Sequence, residues 1–307
     1  MARANTGGTR HLSVKTPVSK DVTITTSDHI QLSGRLYQPS APPKALVICA
    51  HAMMVDMRTF EKSGFVNALS TRGYAVFVFN FRGRDEKAPL DWSYDELVRL
   101  DVPAVIDTVN QHCPTLAKVW LGHSLGGHVG LAAMSTGHLG ELSGMVLVST
   151  NVWLPSLESN FTRRRLKSIY MMIGRLLVLS NGTIPVKRFN LGTVDEAKTY
   201  LRDLMTWWRN DRWSSSEDGE SYFAGLANLE CPLLSVVGSQ DKLEAHPTSV
   251  RAFLNAFGPK NSQVLIADAD WTEGRVPTDH MRLITSRHSA PGWQHIADWL
   301  DALPFKS

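Results

Sequence analysis

The chain has 307 residues, 43% of them hydrophobic and 20% charged, with a formal net charge of +3. That length and apolar content suit one large globular domain, or one domain carrying an insertion, with enough chain to bury a sizeable core. The near-neutral charge gives no footprint for nucleic acid, and no uninterrupted apolar run reaches the ~18 residues of a membrane span, which argues against stable membrane insertion.

Residues 1–20 are polar and hold no apolar segment of the kind a secretory signal needs. Arg3, Arg10, Lys15 and Lys20 precede the first acid and faintly resemble a transit peptide, but a disordered leader on a cytoplasmic protein is the expectation. The three cysteines, Cys49, Cys113 and Cys231, form no CxxC pair. They read as buried free thiols, with neither a disulfide framework nor a metal site.

Val22–Thr26 and Ile30–Tyr37 flank a turn-like Ser27-Asp28-His29 and predict an antiparallel hairpin. Ala45–Ala50 is a continuous apolar run, the pattern of a strand covered on both faces. A helix over Phe60–Arg72 ends at Gly73, and Tyr74–Phe79 is a second buried strand. Helical spacing runs from Asp95 to Gln111. Strand Lys118–Leu121, a helix over Gly126–Thr136 and strand Gly144–Ser149 follow. This alternation predicts an α/β fold built on a mostly parallel, twisted sheet flanked by helices. It breaks over 151–229, which holds helical, aromatic and basic stretches without a buried strand. It then resumes with Pro232–Gly238, His246–Phe257, Gln263–Ile266 and Gly292–Leu300. The division expected is a core of 21–150 and 230–307, with 151–229 inserted as a helical cap.

Gly122-His123-Ser124-Leu125-Gly126 has the G-x-S-x-G spacing of a nucleophile elbow. A serine at a sharp strand-to-helix turn exposes its hydroxyl at the carboxyl edge of the sheet. Side chains two positions away on either side would collide. The helix that follows aims its N-terminus at developing negative charge. An apolar strand runs into the motif, and the small residues Gly126, Gly127 and Gly130 open the helix behind it.

In this setting GHSLGG resembles the α/β-hydrolase superfamily, and the resemblance runs from about residue 22 to the end. The nearest likeness is to bacterial hydrolases of the serine-aminopeptidase-like group, whose helical cap carries a Trp/Arg segment comparable to Trp207–Trp213. The resemblance implies a Ser, acid, His order. It makes Asp241, after the first strand beyond the insertion, the acid, with Glu244 as its rival. His280 becomes the base, with His288 and His295 as the other candidates. Asp279 stands where glycine often precedes this histidine and could itself meet the imidazole. The oxyanion donors implied are the N–H groups of Leu125 and Met53, the latter in His51-Ala52-Met53-Met54 with Ala52 where glycine is common. His51 and Arg82 read as braces for loops at the sheet edge, with a direct substrate contact as the alternative for Arg82, and Asn80 stands where Asp is common in the resembled family.

Within the insertion, Ile169–Leu179 either lines an acyl pocket or packs the cap onto the core. The basic run Arg163–Lys167 is either a solvated helix face or an anion site. Trp207, Trp208 and Trp213 either close the pocket or pack it. The function expected is carboxylic-ester hydrolysis through Ser124, His280 and Asp241 and an acyl-enzyme, on a small-molecule ester or thioester, without metal or organic cofactor. A thioesterase, an acyltransferase, a C–C hydrolase or a peptidase would use the same triad. A non-catalytic binding protein on the same fold is the alternative of another class.

Overall fold

A computed structural model describes residues 17–85, 89–181 and 183–305. The first 16 residues of the expected leader lie outside these, and Val18 already belongs to a strand. β1 (Val18–Thr25) and β2 (Gln31–Gln38) form the antiparallel hairpin. The opening residues of β1 are exposed, so backbone pairing, which leaves no apolar period, makes them strand.

β3 (Leu46–Ala50) is followed by two short helices where one was expected, α1 (Arg58–Ser63) and α2 (Phe65–Thr71). They part at Gly64, whose φ of 90° ends α1. β4 (Ala75–Phe79) comes next. Then α3 (Tyr94–Glu96), started by a Ser93/Glu96 capping box, runs through a π-helical turn into α4 (Val102–His112). β5 (Lys118–His123), α5 (Leu125–Ser135) and β6 (Gly144–Val148) complete the first half.

Between β6 and the next strand of the main sheet lie α6 (Phe161–Asn181), a two-residue pairing of β7 (Thr183–Ile184) with β8 (Glu196–Ala197), and α7 (Lys198–Asn210). The β7–β8 pair is too short to leave a period in the sequence, which is why none was read there. β9 (Leu233–Gly238), α8 (Pro247–Phe257), β10 (Ser262–Ala267), α9 (Arg282–Thr285) and α10 (Ala290–Asp301) finish the chain.

Eight strands lie in the order β1-β2-β4-β3-β5-β6-β9-β10, antiparallel at β1–β2 and β2–β4 and parallel from β4 to β10. Alternation along each strand divides the core. Leu46, Ile48 and Ala50 of β3 join Val105, Val129 and Phe253 of α4, α5 and α8 on one face. Ala45, Val47 and Cys49 join Phe60, Phe65 and Ile296 of α1, α2 and α10 on the other. β3, β4 and β6 are buried along their whole length, as their continuous apolar runs require. Cys49 and Cys113 are buried free thiols, and Cys231 is half-buried. Among the described residues no helix is long and apolar enough to cross a membrane.

Candidate active site

Ser124 sits between β5 and α5 with φ 51° and ψ −110°, a costly conformation for a residue with a Cβ. The surroundings hold it there. Its N–H donates to the carbonyl of Val148 at 2.9 Å. A Cβ on Gly122 would lie 2.3 Å from Gly127 Cα, and one on Gly126 would lie 2.2 Å from the carbonyl oxygen of Ala50. The two glycines of the motif therefore let the elbow close against β3 and α5.

His280 Nε2 lies 2.9 Å from Ser124 Oγ, and His280 Nδ1 lies 2.7 Å from Asp241 Oδ2. An ionised carboxylate only accepts, so Nδ1 carries the proton and Nε2 is free to accept from the hydroxyl. Asp241 is buried, and its Oδ1 accepts the Ala245 N–H at 3.0 Å. Burial alone would raise its pKa. The His280 hydrogen bond and charge, with the N–H groups of Ala245 and Leu243, outweigh burial and hold it below the ordinary carboxylate value.

The loop that carries His280 is joined to the end of β9. Gln240 N–H donates to the Thr278 carbonyl at 3.2 Å, and a Cβ on Gly238 would meet that oxygen at 1.9 Å. A further tie comes from His123, the variable residue of the elbow, to which no role was assigned from sequence. Its Nε2 lies 2.9 Å from the His280 carbonyl oxygen and donates to it. Burial, then the neighbouring His280, pushes the His123 pKa down to about 3, so the ring stays neutral.

The other candidates stand differently. The Glu244 carboxylate lies in one group with Asp241 and His280, their ligand atoms within 4.8 Å of one another, but it is Asp241 that accepts the hydrogen bond from Nδ1–H. Glu244 offers its backbone carbonyl to Asn151 Nδ2 and Trp153 Nε1. His295 stacks on Trp271 at the surface, and the His288 N–H is held by Ser286 Oγ. Asp279 turns to the N–H groups of Met281 and Arg282 and to the Arg282 guanidinium rather than to the imidazole.

The N–H groups of Met53 and Leu125 have no hydrogen-bond partner among the described residues. His51 braces the loop of Met53: Nε2 accepts the Phe81 N–H at 3.2 Å, and Nδ1 donates to the Ala52 carbonyl at 2.7 Å. Burial, with Arg84 nearby, pushes the His51 pKa down to about 3. Arg82 is fully buried and bound to Asp101, Glu96 and Asp28. Asn80 bridges Met57 N–H and Asp85.

Ser124 and His280 open into a mostly apolar cavity of about 170 Å³. Met53 and Met54 line it from the core, Tyr170, Met171, Ile173 and Gly174 from α6, and Leu201, Leu204 and Trp207 from α7. The apolar run Ile169–Leu179 thus lines the pocket on one side. On the other it leaves Ile169, Met172, Leu176 and Leu179 exposed. Trp213 is fully buried beside Trp207, and Trp208 borders a separate surface groove. The basic run divides as well. Lys167 is buried and bound to Glu158 at 3.0 Å, and Arg163 joins the same carboxylate, while Arg164 and Arg165 face solvent.

Residues 41–271 match the sequence model of the serine aminopeptidase (S33) family. The chain superimposes on an esterase of Pyrococcus furiosus with a TM-score of 0.64 at 19% identity, covering 98% of this chain and 96% of that one. It superimposes on a monoacylglycerol lipase of Paleococcus ferrophilus with a TM-score of 0.57 at 15% identity, covering 88% and 98%. At these identities the likeness is one of fold. Protein phosphatase methylesterase 1 of Candida albicans is 34% identical over 114 residues, and human lipase member N is 29% identical over 119. These matches take in 36% and 34% of this chain, and it spans about a third of the length of either relative, 31% and 30%. With an eight-stranded sheet of this topology and a family match over most of its length, the chain belongs to the serine aminopeptidase (S33) family of α/β-hydrolases.

Proposed function

We propose that the protein is a carboxylic-ester hydrolase, carboxylesterase- or lipase-like, that works through an acyl-enzyme on Ser124. The observation that carries this reading is the continuous relay from Ser124 Oγ through His280 to the buried Asp241, at 2.9 and 2.7 Å. His280 Nε2 takes the hydroxyl proton as Oγ attacks the ester carbonyl. Asp241 fixes the tautomer and stabilises the imidazolium that forms. The N–H groups of Met53 and Leu125 receive the oxyanion at the N-terminus of α5. His280 then protonates the departing alcohol and activates the water that releases the acid.

Residues 151–229 act as a cap whose α6 and α7 supply most of the apolar wall. That wall suits an ester with a medium-sized apolar acyl or alcohol group, and the acyl-enzyme steps as written call on no metal or organic cofactor.

Labelling with a fluorophosphonate tests the reading. An adduct maps to Ser124 by peptide mass spectrometry and is absent from folded Ser124→Ala. Asp241→Asn lowers kcat on a p-nitrophenyl ester by roughly 10³- to 10⁴-fold, the scale of losing the correct tautomer. An unlabelled, folded wild-type protein sinks the triad. An aminoacyl arylamide and an acyl thioester in the same panel separate peptidase and thioesterase chemistry from ester hydrolysis.

A further inference from the structure

The loop offered above as half of the oxyanion hole is held from outside the core. Met54 has φ 64°, a left-handed conformation that costs a residue with a Cβ. Its N–H donates to Glu196 Oε1, and its carbonyl accepts the N–H groups of Thr193 at 2.8 Å and Val194 at 3.2 Å. Residue 192 must be glycine for this contact, because a Cβ there would lie 2.4 Å from the Met54 oxygen. Both hydrogen-bonding groups of Met54 are therefore taken up by residues 193–196 of the insertion.

Glu196 is itself fixed. Its Oε1 also accepts Arg84 Nη2 at 2.8 Å, and both side chains are fully buried. Arg84 comes from the loop after β4 and stacks over Trp92, with its guanidinium carbon 5.1 Å from the ring centre. One carboxylate oxygen thus joins three distant stretches of chain: the loop after β3, the loop after β4, and β8. Replacing such a pair by apolar side chains is often tolerated by a fold, whereas leaving one charge alone is not. An ion pair is therefore a poor choice for stability alone at this point. It does supply a directed acceptor for one particular N–H.

We propose that Glu196 is a positioning residue for the oxyanion hole: by holding the Met54 N–H it fixes the Met53–Met54 peptide, and through the Met53 backbone the direction of the Met53 N–H one peptide earlier, so that the hole is formed only while residues 192–196 are seated on the core. This rests on the reading of Met53 and Leu125 as oxyanion donors. Glu196 touches no reacting atom, so its effect belongs in kcat and in affinity for tetrahedral analogues rather than in KM.

The test compares wild type, Glu196→Ala, Glu196→Gln and the double variant Arg84→Met/Glu196→Met in p-nitrophenyl ester turnover, in binding of a trifluoromethyl ketone, which forms a tetrahedral oxyanion on the serine, and in thermal melting. Glu196→Ala is expected to lower kcat 10- to 100-fold with KM within about twofold, and to weaken the ketone in parallel. Glu196→Gln, which keeps an acceptor oxygen, recovers most of the loss. The double variant removes the unpaired charge and restores the melting temperature but not kcat or ketone affinity. It decides the matter if Glu196→Ala does not fold. Full kcat and full ketone affinity in the folded double variant overturn the proposal. Wild type that neither labels on Ser124 nor turns over esters brings down the underlying reading instead, so the two failures are distinguishable.

Discussion

His123 occupies the variable position of the elbow, yet it holds the backbone of the residue that must reach Ser124. Its bond to the His280 carbonyl is made by a neutral ring whose other nitrogen has no partner among the described residues. Replacing it with phenylalanine keeps much of the packing and removes the donor. His123→Phe should fold, label more slowly with fluorophosphonate and lose roughly 10- to 100-fold in kcat, the range expected when a reacting group is misplaced by about an ångström. An unchanged kcat would make the ring a packing element only. Such a tie could not be read in advance. Ser124 announces itself because its neighbours in sequence, Gly122 and Gly126, are the residues whose missing side chains permit the turn. His123 and Glu196 act on partners 157 and 142 positions away, and nothing beside them in the chain marks those partners. Asp279 misled for a related reason: adjacency to His280 suggested contact with the imidazole, while the backbone turns its carboxylate toward the start of α9.

Helix α6 is anchored to α8 through the Glu158 carboxylate and a 2.9 Å bond from Arg163 to the Thr248 hydroxyl. Glu158 binds Lys167 and Arg163 of α6 and receives the Ser249 hydroxyl of α8 at 2.8 Å. Burial alone would raise its pKa, but the bonds to Arg163, Lys167 and Ser249 together bring it down to about 2, against an ordinary 4.5. A depressed carboxylate pKa gives stability that is fully present above the unfolded value and lost as pH falls through the folded one. The melting temperature should therefore drop between about pH 4.5 and pH 2, and Glu158→Gln should flatten that part of the profile. At pH 7 the same substitution leaves Lys167 buried without its partner and should cost on the order of 3 kcal/mol. An equal slope in both proteins would place the acid sensitivity elsewhere. The sequence made α6 legible as an apolar helix but not the direction of its basic residues, since Arg163 to Lys167 is a run by composition and two opposed faces by helical rotation. The core strands were easier, because burial on both faces writes itself as an unbroken apolar run. β7 and β8 have no such signature, and α1 and α2 read as one helix because Gly64 falls inside a continuous apolar period.

At the scale of the whole molecule, the groups of the proposed relay follow the carboxyl ends of core strands, while the cavity walls come largely from the residues between β6 and β9. Chemistry and selectivity should therefore separate on mutation. Leu204 of α7 lines the cavity and stands apart from the Ser124–His280–Asp241 relay. Leu204→Trp should lower kcat/KM for long-chain p-nitrophenyl esters at least tenfold while leaving acetate turnover and fluorophosphonate labelling near wild type. Equal loss on all chain lengths would mean that the wall also orders the reacting groups. The split origin of the site has a temporal side too. β6 and β9 are parallel neighbours, although the whole insertion is made between them. A chain growing from its N-terminus completes the elbow early, then must hold an open sheet edge until β9 arrives. Asp241 and His280 come later still, the histidine 156 positions after Ser124. On the proposed reading, an emerging polypeptide carries Ser124 without its hydrogen-bond partners until the loop after β10 has been made.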